Sequence, residues 1–184
     1  MTNEQFKPFG KIARLSREMV ISEKIDGTNA QLTITEDGQL LAGSRNRWLT
    51  PASDNAGFAG WAEDNKSELL KLGVGTHFGE WWGAGIQRKY GLAEKRFSLF
   101  NTSRWCDNSE RPECCGVVPV LYKGIFESGI IEEMVDHLRI NGSVAAPEFM
   151  DPEGVVIFHV AANMFFKKTC KKDYAHKNER NDKR

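Results

Sequence analysis

The stretch "ISEKIDGTNAQL", residues 21 to 32, sets Lys24 two positions before Asp26 and three before Gly27. A lysine is a nucleophile only as the neutral amine, and a free lysine, with a pKa of about 10.4, is protonated at neutral pH. Burial or a neighbouring cation depresses that value, and a divalent metal is a cation that also polarises a phosphate. Hard metals of this kind take oxygen ligands, for which Asp26, Glu80 and Glu153 are candidates. Taken singly, each acid reads as a surface carboxylate, and Glu153 as a turn residue after Pro152. Together with Lys24 they point to a lysine nucleophile working beside a metal-bound phosphate.

The order of further residues sharpens this. Arg45 in "GSRNRW", Glu80 in "FGEWWG", Phe97 in "KRFSLFN", Glu153 in "EGVVIF", and Lys167 and Lys168 in "FFKKT" follow Lys24 along the chain. Lys24-Ile25-Asp26-Gly27 resembles motif I of the covalent lysine nucleotidyltransferases, the superfamily of ATP-dependent DNA ligases, RNA ligases and mRNA capping enzymes. The later residues resemble its motifs Ia, III, IIIa, IV and V, so the likeness runs from about residue 20 to 170. Within that superfamily "EKIDGTNA" looks most like the RNA ligases of the phage type-2 and kinetoplastid editing group. There a Glu-Lys pair precedes and a Gly-Thr-Asn triplet follows. One departure is Asp26, where those ligases usually carry His and where DNA ligases and capping enzymes more often carry Asp.

The resemblance implies a reaction and a role for each residue. Lys24 would attack the α-phosphate of ATP, release pyrophosphate and hold AMP through a phosphoramide bond. Asp26 and Asn29 would organise the phosphate and a hydrated magnesium or manganese ion, with Glu153 as the metal ligand, and Gly27 would permit close backbone approach. Glu23 would lie near the adenine pocket, Arg45 and Glu80 would bond the ribose hydroxyls, and Phe97 would stack on adenine. Lys167, with Lys168 in reserve, would neutralise the α-phosphate as charge develops. The implied activity is that of an ATP-dependent RNA ligase, which passes AMP to a 5′-phosphate end and joins it to a 3′-hydroxyl, as in RNA repair. A DNA nick ligase, a capping enzyme and a non-catalytic nucleotide- or nucleic-acid-binding module on the same fold are the alternatives. RNA or a nicked duplex is the expected partner, and a monomer the expected state.

Several of these residues have ordinary readings. Phe97 and Phe100 both suit the core of a strand, and Arg47 competes with Arg45. Lys167 and Lys168 are adjacent, so in a strand they point to opposite faces and cannot share one role. The segment "GAGIQRKYGLAEKR" reads as a basic, glycine-punctuated loop at the site's mouth, where Arg88 and Lys89 could meet phosphate. His77, His137 and His159 read as structural.

Placing these groups requires strands. "EMVISEKI" reads as a strand ending near Lys24, and "AQLTITEDGQLLAGS" as a hairpin turning at Asp37-Gly38. "THFGEWWG", "KRFSLFN", "GVVPVLYKGIF", "EGVVIFHV" and "NMFFKKT" read as strands, the third weakened by Pro119. Helices are expected over "GWAEDNKSELLK" and, with Ile130, Ile131, Met134, Val135 and Leu138 on one face, over "GIIEEMVDHLRING". The fold class is therefore α+β with antiparallel sheets flanked by helices, and the resemblance makes it a ligase-type, ATP-grasp-like nucleotidyltransferase domain.

With 184 residues, the expected division is one domain over 1–170 and a mobile basic tail over 171–184. Net charge is zero, yet from Lys167 to Arg184 eight Lys or Arg meet three Asp or Glu, an excess of five that the preceding body balances. Such a tail is either a solvated terminus or a contact for phosphates. Composition is that of a globular protein without an export signal or an apolar membrane span, so the cytoplasm is the expected compartment, and Cys106, Cys114, Cys115 and Cys170 are expected as thiols. Their spacing matches no CxxC pair, which leaves zinc binding by "CDNSERPECC" with a nearby His as a minor alternative.

Overall fold

The computed structural model describes residues 5–107 and 110–171. Among these residues ten strands and four α-helices follow one another, with a 3-10 turn over Leu70–Leu72: β1 (Glu18–Lys24), β2 (Thr28–Ile34), β3 (Leu40–Ser44), β4 (Trp48–Leu49), α1 (Phe58–Asp64), α2 (Lys66–Leu69), β5 (Gly75–Gly83), β6 (Lys95–Leu99), α3 (Thr102–Trp105), β7 (Cys115–Val117), β8 (Val120–Ile125), α4 (Ser128–Asn141), β9 (Gly154–His159) and β10 (Met164–Thr169). They form a four-stranded sheet of order β10-β9-β1-β8 and a six-stranded sheet of order β4-β3-β2-β5-β6-β7. The α+β class holds. Pairing is antiparallel except between β6 and β7, which run parallel.

Alternation decides which residues are inside. On β1, Met19, Ile21 and Glu23 are buried while Val20, Ser22 and Lys24 are half-exposed. The buried set joins Val155 and Ile157 of β9 and packs against Val135 and Leu138 of α4. On the six-stranded sheet, Ala30, Leu32, Ile34, Trp81, Phe97 and Leu99 make the core with Phe58, Ala59 and Ala62 of α1 and with Leu69 and Leu72. Each sheet thus has one face covered by helix, and the other faces look at each other across a cleft. The Ile25–Gly27 link carries the chain from one sheet to the other, so Lys24 closes a strand on one side and Asn29 lies in a strand on the other.

Two expected elements are divided. The helix over 60–71 is broken at Asn65, whose amide Nδ2 donates to the Trp61 carbonyl at 2.8 Å and so competes with the helical ladder. The strand over "GVVPVLYKGIF" is two strands in two different sheets, β7 beside β6 and β8 beside β1. Pro119 lies at the crossover, where it has no N–H to give a ladder and its carbonyl accepts the Glu23 N–H at 2.9 Å. α4 ends as expected, with Gly142 at φ 81° and its N–H on the Leu138 carbonyl. The basic tail, apart from Lys171, lies outside the described residues.

Candidate active site

Lys24 is the last residue of β1 and sits opposite Gly154, the first of β9. Glu153 immediately precedes that glycine, so sheet register alone brings two residues 129 positions apart into contact. The Lys24 Nζ and Glu153 Oε2 are 2.5 Å apart, with side chains 23% and 14% exposed. Gly27 enters β2 against β5, where an added Cβ would lie 2.4 Å from the Trp81 carbonyl oxygen and 2.7 Å from the Trp82 Cβ. The close approach that only glycine allows at position 27 is therefore made to the protein's own backbone. It seats the Gly27 N–H on Glu80 Oε1 at 3.0 Å, while the cross-strand neighbour Asn29 donates its Nδ2 to Glu80 Oε2 at 3.0 Å.

Glu80 is buried, and burial pushes its carboxyl up to about 7, against the pull of the Lys24 ammonium, the Gly27 N–H and the Asn29 amide. Asp26 is held at two points: its N–H donates to the Tyr90 hydroxyl at 2.7 Å, and its Oδ2 accepts from Arg88 Nε at 2.9 Å. Burial pushes the Tyr90 phenol above its ordinary range, so it stays protonated.

Glu23 is turned from the cleft. Neighbours on a strand face opposite ways, and Glu23, 1% exposed, accepts Ser143 Oγ at 2.6 Å and the N–H groups of Val144 and Ala145 at 2.8 and 2.9 Å. Its carboxylate pins the loop after α4.

Phe97 is also displaced from its expected role. It pairs with Trp81 rather than with Glu80, is fully buried, and packs on Phe58 with ring centroids 5.2 Å apart. Ser98 is the residue opposite Glu80. Two positions on, Phe100 shares the cleft side: its N–H donates to the Phe78 carbonyl, its ring is 39% exposed, and it lines a cavity of about 670 Å³ between the sheets with Val20, Ser22, Phe78, Val156 and Phe158. The two-residue period of a strand, counted from Glu80 through its partner, was the signal that picks Phe100 over Phe97.

The lysine pair of β10 resolves by the same logic. Lys167 stands opposite Val156, on the cleft face with Lys24 and Ser22, and is exposed; Lys168 stands opposite Val155 on the α4 side and pairs with Glu132 at 2.6 Å. Arg45 is exposed just past Ser44, the partner of Ala30, and so leaves the sheet beside Asn29. Arg47 is occupied, donating to Ser53 and Asp54 backbone carbonyls at 2.8 and 3.1 Å. His77 and His159 bond the carbonyls of Gly73 and Leu15.

All four cysteines are free thiols, and among the described residues no group of three or more His, Cys, Asp or Glu could cage a metal. The donor set at the junction instead suits magnesium or manganese, which keep several waters and take one or two carboxylates together with phosphate oxygens. Glu153, with Asp26 across the junction, supplies hard oxygen of that kind.

Comparison with known proteins follows the geometry. The family model for RNA ligase matches residues 17–172. No curated protein matches the chain by sequence similarity. Among solved structures, a mutant of the Naegleria gruberi RNA ligase with ATP and Mn is similar at a TM-score of 0.60 and 20% identity, covering 83% of this chain and 48% of that one. A second mutant of that ligase with ATP and Mn aligns at a TM-score of 0.61 and 18% identity over 85% of this chain and 51% of that chain. The same ligase with PPi aligns at 0.58 and 20% identity, over 84% and 50%. The chain spans about half the length of these ligases, and at such identities the likeness is one of fold.

Proposed function

Because the chain belongs to the RNA ligase family, we propose that it is an ATP-dependent RNA ligase whose Lys24 carries the adenylate. The observation that carries this reading is an amine at the end of β1, in contact with Glu153 and beside the Glu80–Gly27–Asn29 knot, on the same strand face as Ser22, which lines the aromatic cavity between the two sheets.

The Lys24 Nζ is held 2.5 Å from Glu153 Oε2, and because only the neutral amine attacks, the proton that the nitrogen sheds passes to solvent. The amine nitrogen then forms a bond to the α-phosphorus of ATP as the bond from that phosphorus to the bridging oxygen breaks, and pyrophosphate leaves. Lys167, on the same face of the sheet, offsets the growing charge on the α-phosphate oxygens. Phe100 and Phe78 give adenine a surface to stack on, and Glu80 and Arg45 hold the ribose. A magnesium or manganese ion held by Glu153 and the phosphates would supply charge neutralisation at the phosphorus. AMP next passes from the lysine nitrogen to a 5′-phosphate end of RNA, and a 3′-hydroxyl displaces it to make the phosphodiester. The Glu-Lys pair and Gly-Thr-Asn triplet around the nucleophile support the phage type-2 and editing-ligase branch and, with it, a role in RNA repair.

Incubation with α-labelled ATP and magnesium, followed by denaturing electrophoresis and intact-mass measurement, should show one covalent AMP that the Lys24→Ala variant lacks. Labelling by GTP instead would point to capping chemistry, and no labelling by either would refute the reading. Sealing assays on nicked RNA and nicked DNA then compare the two substrates directly, with RNA expected to be joined faster.

A further inference from the structure

Arg88 lies where three segments distant in sequence meet. Its Nε donates to Asp26 Oδ2 at 2.9 Å, and its Nη1 donates to the Asp151 backbone carbonyl at 2.9 Å and to Asp151 Oδ2 at 2.7 Å. Asp26 is two residues beyond Lys24, and Asp151 two residues before Glu153. A single guanidinium therefore ties the loop that follows the amine to the loop that precedes its carboxylate partner. Asp151 also accepts from Lys171 Nζ at 2.7 Å, and that bond, aided by the charge of Arg88, holds its carboxyl below the usual range.

The loop that carries Arg88 joins β5 to β6 and is not relaxed. Gln87, Lys89 and Tyr90 have φ of 42°, 60° and 52°, the left-handed region that side chains with a Cβ seldom enter. Such backbone persists where its surroundings over-determine it. Here Tyr90 is the anchor: it is 2% exposed, meets Trp82 edge-on with centroids 5.0 Å apart, packs on Phe149 at 4.6 Å, and receives the Asp26 N–H on its hydroxyl. One strained loop thus grips Asp26 twice, at the backbone through Tyr90 and at the carboxylate through Arg88.

We infer that Arg88 is a positioning residue for the lysine-adenylate step: it braces Asp26 against the Glu153 loop across the junction of the two sheets and keeps Lys24 and Glu153 in register. Two of its three nitrogens are engaged by acids of the protein, so it acts through Asp26 and Asp151 and not by touching the nucleotide. The planar fork is essential, because one guanidinium reaches two acceptors in fixed directions, whereas an ammonium is a point charge on a flexible stem. The inference rests on the adenylyltransferase reading above for its kinetic consequence, but the brace itself is observable without turnover.

The test compares Arg88→Ala, Arg88→Lys, Asp151→Ala and the Arg88→Ala/Asp151→Ala double variant with the unaltered chain. At saturating ATP the rate of lysyl-AMP formation should fall by about 100-fold in Arg88→Ala and by nearly as much in Arg88→Lys, the size expected of a small misplacement of reacting groups. The ATP concentration for half-maximal rate should stay close to its original value, and the double variant should be no slower than Arg88→Ala alone. Added guanidinium chloride at millimolar levels should restore Arg88→Ala in part and leave Arg88→Lys unchanged. A loss confined to the half-maximal ATP concentration, or additive effects of the two substitutions, would overturn the brace in favour of direct phosphate contact. Amide hydrogen exchange on the nucleotide-free protein checks the same claim independently of activity. Residues 24–27 and 151–154 should both exchange faster in Arg88→Ala, and unchanged protection in either segment overturns the inference even if no adduct ever forms.

Discussion

Glu80 and the two phenylalanines of the β6 region show how much a single side chain's surroundings decide. The folded-state pKa of Glu80, about 7, lies above the ordinary 4.5, so the folded protein binds that proton more tightly than the unfolded chain does. Stability should then be highest below about pH 4.5 as far as this group is concerned and should fall as pH rises through about 7, by on the order of 3 kcal/mol in all. Glu80→Gln removes that slope, since its oxygen still accepts the Gly27 N–H and Asn29 can turn its amide to face the new one. Chemical denaturation at about pH 5 and about pH 8 should show the variant gaining on the parent at the higher pH. Phe97 and Phe100 should separate cleanly. Phe97→Ala empties a fully buried site and should cost about 3–5 kcal/mol of stability, read from a denaturation midpoint. Phe100→Ala should leave the midpoint nearly in place and weaken ATP binding by about 1–3 kcal/mol, read as a raised half-maximal ATP concentration for adduct formation.

At the scale of elements, the site is a product of strand register. β9 pairs with both β1 and β10, so Lys24, Val156 and Lys167 share one face while Glu23, Val155 and Lys168 share the other. Lys167→Ala should therefore slow lysyl-AMP formation by about 100-fold or more, as the loss of a charge aimed at the transition state does. Lys168→Ala removes a pair with Glu132 that is 28% and 57% exposed and should change neither the adduct rate nor, by more than about 1 kcal/mol, the stability. Single-turnover labelling of both variants checks the face assignment, and equal losses would mean that β10 is shifted by one residue. The β7–β8 crossover at Pro119 serves the same end: it delivers one strand to each sheet, and the carbonyl it frees takes the N–H of Glu23 next to the amine.

For the whole molecule, two helix-backed sheets meet at the Ile25–Gly27 link and leave their other faces open to each other. A nucleotide bound in that cleft, as proposed, would touch both sheets and would bind the folded chain alone. ATP with magnesium should thus raise the unfolding free energy by about 2.7 kcal/mol at a hundred times its dissociation constant, seen as a concentration-dependent rise in melting temperature. Lys24→Ala, which loses the covalent bond, should keep much of that rise, because stacking and ribose contacts do not need the amine.

The residue types that could do this chemistry were legible without coordinates: a Lys-x-Asp-Gly turn, acids at 80 and 153, and a final lysine pair, in an order that already resembled one family. So were the α+β class, the 30–44 hairpin and α4, because those depend on local period and turn chemistry. What local pattern cannot hold is which face of one strand a residue shares with another strand far away. That choice put Phe100 and not Phe97 in the cleft, turned Glu23 inward, divided the lysines of β10 and set Arg88 between Asp26 and Asp151. Each was decided by cross-strand pairing and loop packing between residues tens of positions apart, terms that exist only once the chain has closed on itself.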